Sequence, residues 1–479
     1  MAKMTINGES VDAQSGKTMD VRNPATGEVV DTIPRGGTAD VDAAVEAAAK
    51  AFPAWASMAP SKRAALMHAA AVEMRAAVPE IAKLLTQEQG KPLAHAVLEA
   101  SRVAENLEYY AGLADKIRGD YVTLDDPSKI GFTIRRPVGV VAAITPWNFP
   151  LTLMANKVCP ALAVGCTVVL KAASTTPLAT QRTVDVINSA GIPAGVLNTV
   201  HGSGGEIGDA LVSHKRVNKV AFTGQTETGK RIMKLAADNV TRVTLELGGS
   251  DPMIVCDDAD IRRATAGAAI GRFFNAGQAC LAVKRVYLFK EIAEEFMTKI
   301  ADRASKEWKV GNGLAEGVKM GPLHTEHQRA EVESQVKDAV GRGAKVLAGG
   351  KRPEGKEFEK GWFMEATVLR DVPEDSRMAT EEVFGPALPI FIVNDLDEAI
   401  AKANQSVYGL GSSIWTKDLA KARRAAEQIE AGYTWVNDIQ VAYDQLPFGG
   451  LKQSGFGKEH GLEAIDGYLE KKSVVLGTA

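Results

Sequence analysis

Apolar residues along the first quarter of the chain recur with a helical period. They occupy positions i, i+3, i+4 and i+7 from Val41, which predicts an amphipathic helix that starts after Thr38. Similar spacing predicts helices over residues 61–78 and 92–113. Proline lacks the N–H that a helix interior needs. We therefore expect Pro79 to end the helix over residues 61–78 and to open a further short helix that reaches Leu85.

The pattern changes to short, continuous apolar runs near residue 138. Such runs, separated by helical stretches, predict parallel strands that are covered on both faces. The stretch 177–190 fits a crossover helix with Thr176 as its cap and Pro177 at its first position. We therefore expect a nucleotide-binding sheet over residues 138–250. Its predicted strands are 138–144, 166–170 and 219–222, and a further strand over 252–256 follows them.

A second α/β series follows, over residues 257–440, which makes the expected fold class α/β. Its predicted buried pieces are 273–274, 387–393 and 434–436. Two further segments indicate a small β arm. Residues 121–124 and 131–134 flank Asp125-Asp126-Pro127-Ser128, which is a hairpin signal, and residues 472–476 read as a strand. A small sheet with open edges is usually covered by pairing, so we predict that these strands pair between subunits.

Composition narrows the function classes. The 479 residues are 45% hydrophobic and 24% charged, an ordinary globular balance, and the formal net charge of −3 gives no basic excess for nucleic acid. The sequence has no run of about 20 apolar residues that could span a bilayer. Its first residues lack an apolar signal core, so we expect a cytoplasmic protein with reduced thiols. The cysteines lack metal-site spacing, so no metal is expected, and three of them read as core residues: Cys159, Cys166 and Cys256.

Two residues could carry covalent chemistry. Cys280 ends the segment Phe274-Asn-Ala-Gly-Gln-Ala-Cys280, and a thiolate there could act as a nucleophile. Glu246 stands between two leucines, where an apolar setting would raise its pKa and favour a general base. Taken alone, a buried structural cysteine is the more common explanation for Cys280, and a solvated residue at a strand end is the more common one for Glu246.

Polar and glycine-rich turns follow the predicted strands. Asn148 lies after strand 138–144, where its amide could stabilise an oxyanion, although, taken alone, a turn asparagine before Pro150 is the better explanation. The turns at 222–229 and 202–205 could let a phosphate approach a helix N-terminus. Neither turn carries the G-x-G-x-x-G fingerprint, and ordinary strand-to-helix connections look similar.

Together these segments resemble the aldehyde dehydrogenase superfamily, closest in appearance to its succinate-semialdehyde branch. The likeness begins at Asn23-Pro-Ala-Thr-Gly-Glu28, and 34 residues (280 − 246) separate Glu246 from Cys280. It rests on five motifs in order: Thr145-Pro-Trp-Asn-Phe-Pro150, Leu245-Glu-Leu-Gly-Gly249, Gly277-Gln-Ala-Cys280, Glu382-Val-Phe-Gly-Pro386 and Pro447-Phe-Gly-Gly-Leu-Lys-Gln-Ser-Gly455.

The resemblance implies NAD(P)-dependent oxidation of an aldehyde to a carboxylic acid. In this scheme Cys280 attacks the aldehyde, Asn148 and the Cys280 N–H hold the oxyanion, and Glu246 activates the water that hydrolyses the thioester. Lys157 and Glu459 match positions that relay protons. The cofactor-binding residues that the resemblance implies are Ile144, Thr145, Pro146, Trp147, Lys171, Ser174, Gly204, Thr223, Gly224, Gln225, Gly229, Leu247, Glu382 and Phe384.

The adenosine end departs from the family pattern. The family often reads Lys-Pro-x-Glu where this chain has Lys171-Ala-Ala-Ser174, so a serine replaces the carboxylate that would repel a 2′-phosphate. We therefore expect NADP to be accepted, alone or beside NAD. Gln225, where serine is usual, and Ala172, where proline is usual, leave the affinity open.

The substrate stays open between a small semialdehyde, such as succinate semialdehyde, and another small acidic or hydroxylated aldehyde. The arginine that the semialdehyde branch often supplies is absent from residues 151–157. Phe448 and His460 are the predicted substrate residues, with Trp435 lining or supporting the tunnel. Alternatives are a CoA-acylating dehydrogenase, which generally lacks the Glu246 equivalent, and a non-catalytic binding protein. A Cys–His hydrolase would draw its base from His201, His214 and His324.

The expected organisation has a Rossmann-like cofactor-binding domain, an α/β catalytic domain and a β oligomerisation arm. The cofactor-binding domain is expected to comprise residues 1–120 and 137–250, and the catalytic domain 251–445. Residues 121–136 and 460–479 are expected to form the strands of a homodimer or homotetramer.

Overall fold

The computed structural model describes residues 2–477. Met1, Thr478 and Ala479, which the expected domains include, lie outside the described residues. The first third of the chain contains six strands and three long helices, in chain order β1 (Met4–Ile6), β2 (Glu9–Val11), β3 (Thr18–Arg22), β4 (Val29–Pro34), α1 (Thr38–Ser57), α2 (Pro60–Gln89), α3 (Leu93–Leu113), β5 (Tyr121–Val122) and β6 (Lys129–Pro137).

Helix α2 corrects the prediction of a break at Pro79. The helix continues through this proline to Gln89, although the ring removes one main-chain hydrogen bond. Pro79 itself is exposed, whereas Met74, Ile81 and Leu85 on either side of it are fully buried. Both halves of the helix therefore bury an apolar face, and this packing outweighs the local cost of the proline.

The middle third forms the predicted parallel sheet. Its order is β21-β11-β10-β7-β8-β9, where the edge strand β21 (Gly455–Phe456) comes from the last third of the chain, and the five strands other than β21 run parallel. The central strands are buried along their length, as expected of a sheet with helices on both faces. The elements of this third are β7 (Val140–Ile144), α4 (Pro150–Val164), β8 (Thr167–Lys171), α5 (Leu178–Ser189), β9 (Leu197–Thr199), α6 (Asp209–Ser213), β10 (Val217–Thr223), α7 (Thr226–Ala237) and β11 (Arg242–Glu246).

The crossover helix α5 is present, but its cap differs from the prediction. Pro177 occupies the cap position rather than the first helical position, and Thr176 makes no side-chain cap. The buried carboxylate of Glu88, at the end of α2, instead accepts hydrogen bonds from the N–H groups of the first two helical residues at 2.7 and 2.9 Å. A residue distant in sequence thus supplies the acceptor that the local sequence was expected to provide.

The last third forms a seven-stranded sheet of order β14-β15-β16-β13-β12-β18-β19, in which β14 alone runs antiparallel to its neighbour. The predicted α/β architecture is confirmed. The elements are β12 (Asp251–Val255), α8 (Ile261–Phe273), β13 (Val283–Phe289), α9 (Ala293–Lys306), α10 (Glu326–Gly341), β14 (Lys345–Ala348), β15 (Thr367–Arg370), α11 (Arg377–Thr380), β16 (Ala387–Val393), α12 (Leu396–Asn404), β17 (Tyr408–Gly409), β18 (Gly411–Trp415), α13 (Leu419–Gln428), β19 (Tyr433–Val436), β20 (Leu451–Lys452), β21 (Gly455–Phe456), α14 (Gly461–Asp466) and β22 (Leu469–Gly477).

Strand β21 returns the chain from the second sheet to the first, where it forms the edge strand beside β11. It pairs antiparallel with β11, where Gly455 lies opposite Glu246 and Phe456 opposite Leu245. This pairing brings the segment around Glu459 against the end of β11, although more than 200 residues separate them in sequence.

The β arm consists of three antiparallel strands, ordered β22-β6-β5. The predicted hairpin is present, with Tyr121 opposite Phe132, and β22 pairs with β6 from Leu469 to Gly477. These strands pair with one another within the chain, and the pairing between subunits stays a prediction. Between residues 2 and 477, no helix has the length and apolar character needed to cross a membrane.

Candidate active site

A strained turn presents Cys280. Helix α8 ends at Phe273, and the next residues include three successive left-handed conformations, at Asn275 (φ 51°), Ala276 (φ 54°) and Gly277 (φ 71°). A Cβ on Gly277 would lie 2.2 Å from the carbonyl oxygen of Gly385, so only glycine fits. The turn places Cys280 immediately before β13, between the two sheets.

Asn148 is held beside this turn. It follows β7, is almost fully buried, and its Nδ2 donates to the carbonyl oxygen of Gln278 at 3.2 Å. Asn275 Nδ2 donates to the carbonyl oxygens of Asn148 (3.0 Å) and Gln278 (3.2 Å), which locks the two segments together. An amide nitrogen carries two hydrogens, so one N–H of Asn148 is left for a developing oxyanion.

Cys280 lines two separate cavities. One, of about 420 Å³, is a mainly apolar tunnel that includes Phe149, Phe274, Phe448 and His460. The other, of about 380 Å³, contains much of the predicted nicotinamide end. Cys280 therefore lies where the apolar tunnel and the second cavity, the predicted cofactor cleft, meet.

The Cys280 thiol is a protonated group in this state. Burial raises its pKa to about 12, and the nearby carboxylates of Asp251, Glu246 and Glu382 act in the same direction. The positive charge of Lys284 opposes them. Any nucleophilic chemistry at Cys280 therefore depends on neighbouring charge and on a group that removes the proton.

The cleft on the cofactor side continues past Cys280 into a third cavity of about 520 Å³. The two cavities share five lining residues, and they lie at the carboxyl ends of β7 and β10, where α/β sheets bind nucleotides. Gly229 lines neither cavity. A Cβ there would lie 2.5 Å from the Leu247 side chain, so it serves packing of α7. The other predicted residues do line them: Ile144, Thr145, Pro146, Trp147, Lys171, Ser174, Gly204, Thr223, Gly224, Gln225, Leu247, Glu382 and Phe384.

The far cavity carries the residues that the sequence assigned to the adenosine end. Lys171 and Ser174 line it together, and Lys171 Nζ donates to the Ala172 carbonyl oxygen at 3.2 Å. Burial lowers the pKa of Lys171 to about 8, and an anion beside it would raise that pKa and stabilise the ammonium. His324 also lines this cavity and stacks on Trp147, with ring centroids 4.6 Å apart.

Glu246 is a buried carboxyl without a partner. It ends β11, is 3% exposed, and neither of its carboxylate oxygens has a hydrogen-bond partner among residues 2–477. Burial, reinforced by the negative charge of Glu459, holds its pKa well above the ordinary value, while Lys157 acts in the opposite direction. A Cβ on Gly449 would lie 2.8 Å from Glu246 Oε1, so this glycine leaves space beside the carboxyl.

Lys157 and Glu459 form a buried pair behind this site. Lys157 Nζ donates to Glu459 Oε1 at 2.5 Å and to Thr223 Oγ1 at 2.6 Å. Asn156 Nδ2 donates to the other oxygen of Glu459 at 3.0 Å and lies 3.1 Å from His460 Nε2. The predicted relay pair is therefore connected to both the cofactor cleft, through Thr223, and the tunnel, through His460.

The histidines proposed for a hydrolase lie elsewhere. His201 Nε2 contacts Gln181 Oε1 at 2.9 Å, and His324 Nε2 contacts Thr175 Oγ1 at 2.8 Å. The histidines that share the tunnel with Cys280 are instead His95 and His460. Trp435, expected to line or support the tunnel, is buried and stacks on Tyr433 at 4.3 Å.

Three basic residues near the site were missed. Lys91 pairs with Glu99 and donates to the Asn148 carbonyl oxygen at 2.8 Å. Arg102, on α3, lines the tunnel, and Lys284, four residues after the cysteine, contacts its carbonyl oxygen at 2.6 Å. Two adjacent cations, Lys284 and Arg285, near the start of a mainly apolar strand were a usable signal for Lys284, whereas nothing local marks Arg102.

Comparison with known proteins gives matches over the whole chain. The sequence model of the aldehyde dehydrogenase family matches residues 10–474. A glutarate-semialdehyde dehydrogenase of Pseudomonas putida is 44% identical over 98% of this chain and 96% of its own length. The NADP(+) succinate-semialdehyde dehydrogenase GabD of Escherichia coli is 40% identical over 98% and 97%. A crystal structure of Staphylococcus aureus betaine aldehyde dehydrogenase in complex with NAD+ superposes with a TM-score of 0.97 at 38% identity, covering 99% of this chain and 94% of that one.

Proposed function

Because this chain belongs to the aldehyde dehydrogenase family and is an NAD(P)-dependent aldehyde dehydrogenase, we propose that it oxidises a small semialdehyde to a dicarboxylic acid at Cys280. The observation that carries the proposal is the position of Cys280 at the junction of the apolar tunnel and the cofactor cleft. In the scheme that follows, the residue roles are part of the proposal.

The cleft suits a dinucleotide. It is continuous and elongated, and glycines leave room for close approach. A Cβ on Gly248, for example, would lie 2.6 Å from Glu382 Oε2. Lys171 and Ser174 would hold the adenosine end, and Glu382 and Phe384 the nicotinamide end. When bound, the nicotinamide supplies the acceptor for the hydride that leaves the aldehyde carbon.

The protein's own residues perform the remaining chemistry. The Cys280 thiol first gives its proton to Glu246, which passes it to the buried Lys157–Glu459 pair. The resulting thiolate forms a C–S bond with the aldehyde carbon, and the carbonyl electron pair moves to oxygen, where Asn148 Nδ2 and the Cys280 N–H stabilise it. Loss of the hydride leaves a thioester on Cys280. Glu246 then takes a proton from water, the resulting hydroxide adds to the acyl carbon, and the C–S bond breaks to release the acid and the thiolate.

Proton release then involves the buried pair behind Glu246. The negative charge of Glu459 adds to burial in raising the pKa of Glu246, which favours the protonated form of that carboxyl, and Lys157 offsets part of this effect. We assign Glu459 and Lys157 to this transfer. Glu246 also favours water over CoA as the acyl acceptor, and a CoA-dependent product would overturn that assignment.

A semialdehyde needs a cation for its distal carboxylate. The segment 151–157 has no arginine, but α3 brings Arg102 into the tunnel lining, where it is the one Lys or Arg among the lining residues that the structure describes. Its Nη2 donates to Asp444 at 2.7 Å and its Nη1 to Glu105 at 2.8 Å, which orients the guanidinium and leaves other N–H groups free. We propose that Arg102 binds the substrate carboxylate.

A second candidate is a hydroxylated aldehyde. Two buried acceptors in the tunnel lining, Asn156 Oδ1 and Gln440 Oε1, have no hydrogen-bond partner among residues 2–477. A substrate hydroxyl could donate to either, whereas a carboxylate could not. This observation keeps a neutral polar substrate as an alternative to the semialdehyde.

Matched substrates separate the two candidates. We expect succinate or glutarate semialdehyde to exceed unsubstituted aldehydes of equal length at least about tenfold in kcat/KM. Arg102→Gln should abolish that advantage by raising KM, while Arg102→Lys should retain part of it. Preference for the hydroxyaldehyde, unaffected by Arg102→Gln, would favour the second candidate and contradict the first.

The cofactor assignment has its own test. With Ser174 in place of a carboxylate and Lys171 beside it, we expect measurable turnover with NADP, because Lys171 would pair with its 2′-phosphate. Lys171→Met should raise KM for NADP more than KM for NAD. No turnover with NADP would contradict the assignment.

A cytoplasmic location stays a prediction and would be checked by fractionation of cells that express the protein.

A further inference from the structure

We propose that Lys284 is a positioning residue that ties the Cys280 loop to Glu382, so that one buried ammonium governs both the reactivity of the sulfur and the affinity of the cofactor. The inference deepens the proposed function, because it rests on Glu382 lying in the nicotinamide half of the cleft. The sequence alone drew no attention to Lys284.

The Lys284 side chain has no exposed surface, and its nitrogen has three partners. Nζ donates to the carbonyl oxygens of Ala279 at 3.0 Å and Cys280 at 2.6 Å, and it lies 3.0 Å from Glu382 Oε1. An ammonium has three N–H donors and each finds an acceptor. The lysine therefore links the main chain at the proposed nucleophile to Glu382, a carboxylate 98 residues away (382 − 284) in sequence.

Glu382 is held from the opposite side as well. The N–H of Gly249 donates to the same oxygen, Oε1, at 3.2 Å. Glu382 Oε2 approaches Gly248 so closely that any side chain there would collide with it. With one-fifth of its side chain exposed in the cleft, Glu382 is oriented by Lys284 and by the turn after Glu246.

Charge at the sulfur depends on the same contact. The groups that act on Cys280 are Asp251, Glu246 and Glu382, which disfavour the thiolate, and Lys284, the cation that favours it. Removal of the lysine charge would leave three acidic groups without this opposing cation. It would also leave two carbonyl oxygens and a carboxylate without a donor. We therefore expect both a less reactive thiol and a less ordered Glu382.

The test uses two readouts that do not require turnover. The first is the alkylation rate of Cys280 by iodoacetamide in the cofactor-free enzyme, followed by peptide mass spectrometry over a range of pH. The second is the Kd of NAD+ and NADP+ by calorimetry. For Lys284→Met we expect alkylation about tenfold slower at a fixed pH, which corresponds to a rise of about one unit in thiol pKa. We also expect Kd to increase at least about fivefold.

Two variants serve as controls. Lys284→Arg keeps the charge and should restore most of the alkylation rate. Lys219→Met removes another buried lysine, which donates to Thr244 Oγ1 at 2.6 Å. It should leave the alkylation profile unchanged. A merely structural role for Lys284 would lower the unfolding temperature of Lys284→Met without moving that profile, and such a result would overturn the proposal.

A double-mutant cycle keeps the inference testable if Lys284→Met does not fold. Lys284→Gln, which removes the charge but keeps a polar side chain, Glu382→Gln and their combination should affect alkylation non-additively, because the two side chains act through one contact. Additive effects would overturn the proposal. Failure of the wild-type enzyme to oxidise any semialdehyde would contradict the proposed function alone, because alkylation and cofactor binding are measured without substrate.

Discussion

At the scale of single residues, the site is defined by charges that are buried and incompletely compensated. Cys280 and Glu246 both lie where burial disfavours their ionised forms. Each has a buried lysine nearby, Lys284 for the sulfur and Lys157 for the carboxyl. The division of labour between nucleophile and base can therefore be tested by removing one group at a time.

Replacement of Glu246 by Gln should separate acylation from hydrolysis. The thioester would form more slowly, because the thiol also loses its proton acceptor, and the water would lack its base, so we expect one equivalent of reduced cofactor in a burst, followed by turnover at least about 10²-fold slower. Stopped-flow absorbance would record the burst, with Cys280→Ala as the control that shows none. Steady turnover without a burst in Glu246→Gln would contradict the assigned role.

The pH dependence of hydrolysis should move in opposite directions in two variants. Glu246 must be ionised to act as a base, and its raised pKa means that the rate increases as pH rises through that pKa. Glu459→Gln removes a negative neighbour, lowers the pKa of Glu246 and should move the rising limb to lower pH. Lys157→Met removes a positive neighbour and should move it to higher pH.

Hydrolysis of a chromogenic ester would measure these limbs, because it uses the same thioester without hydride transfer. Shifts in the same direction in both variants would contradict the electrostatic account. The two variants are each other's control, since both alter one buried contact.

Residue identities near the motifs could be predicted from the sequence, but their partners could not. The predicted Phe448 and His460 do line the tunnel with Cys280. Arg102 could not be found, because its neighbour across the site, Asp444, lies 342 residues later (444 − 102) and only folding brings them together. Gly229 was assigned to the cofactor from a local pattern, whereas its close neighbour is Leu247.

At the scale of elements, local rules failed where tertiary packing supplied what the sequence lacked. Pro79 was expected to end a helix, and packing of α2 on both sides of it kept the helix continuous. Thr176 was expected to cap α5, and Glu88 of α2 took that role. Periodicity located helices and strands well because it reflects burial. Ends and caps depend on contacts that periodicity does not contain.

Pro79→Ala tests this interpretation of α2. The proline is exposed and removes one hydrogen bond from the helix interior, so alanine should stabilise the protein by about 1–3 kcal/mol. Urea unfolding would measure the change. Ala76→Pro, at another exposed position of the same helix, should act in the opposite direction. Destabilisation by Pro79→Ala would show that the surrounding structure depends on the proline.

At the scale of the whole molecule, the sequence pattern predicted two α/β units and a β arm because each unit buries its own strands. It could not predict that β21 crosses back to pair with β11, since two residues carry no periodic signal. This crossing places Glu459 behind Glu246 and so joins the two units at the site.

The β arm carries apolar side chains on its surface, and this supports the expected assembly. Tyr121, Val122, Val475 and Leu476 on its two outer strands are 73%, 44%, 58% and 49% exposed. We expect a homodimer or homotetramer in which these strands are covered by another copy. Light scattering would give the mass.

Replacement of Val475 and Leu476 together by Lys should shift the mass towards the monomer. Val240→Lys, at a residue that is 86% exposed and outside the arm, should leave the mass unchanged. A wild-type protein of monomer mass at micromolar concentration would contradict the expectation.

Because Cys280 lines both the tunnel and the cleft, modification of this residue has a consequence for inactivation. An electrophile or a peroxide that modifies the Cys280 sulfur plugs both chambers at their common wall. Such damage would exclude both the aldehyde and the nicotinamide cofactor in one event. A cofactor that is already bound would shield the sulfur from attack. Cells exposed to oxidants would then lose the activity of this enzyme fastest when their cofactor concentration is low.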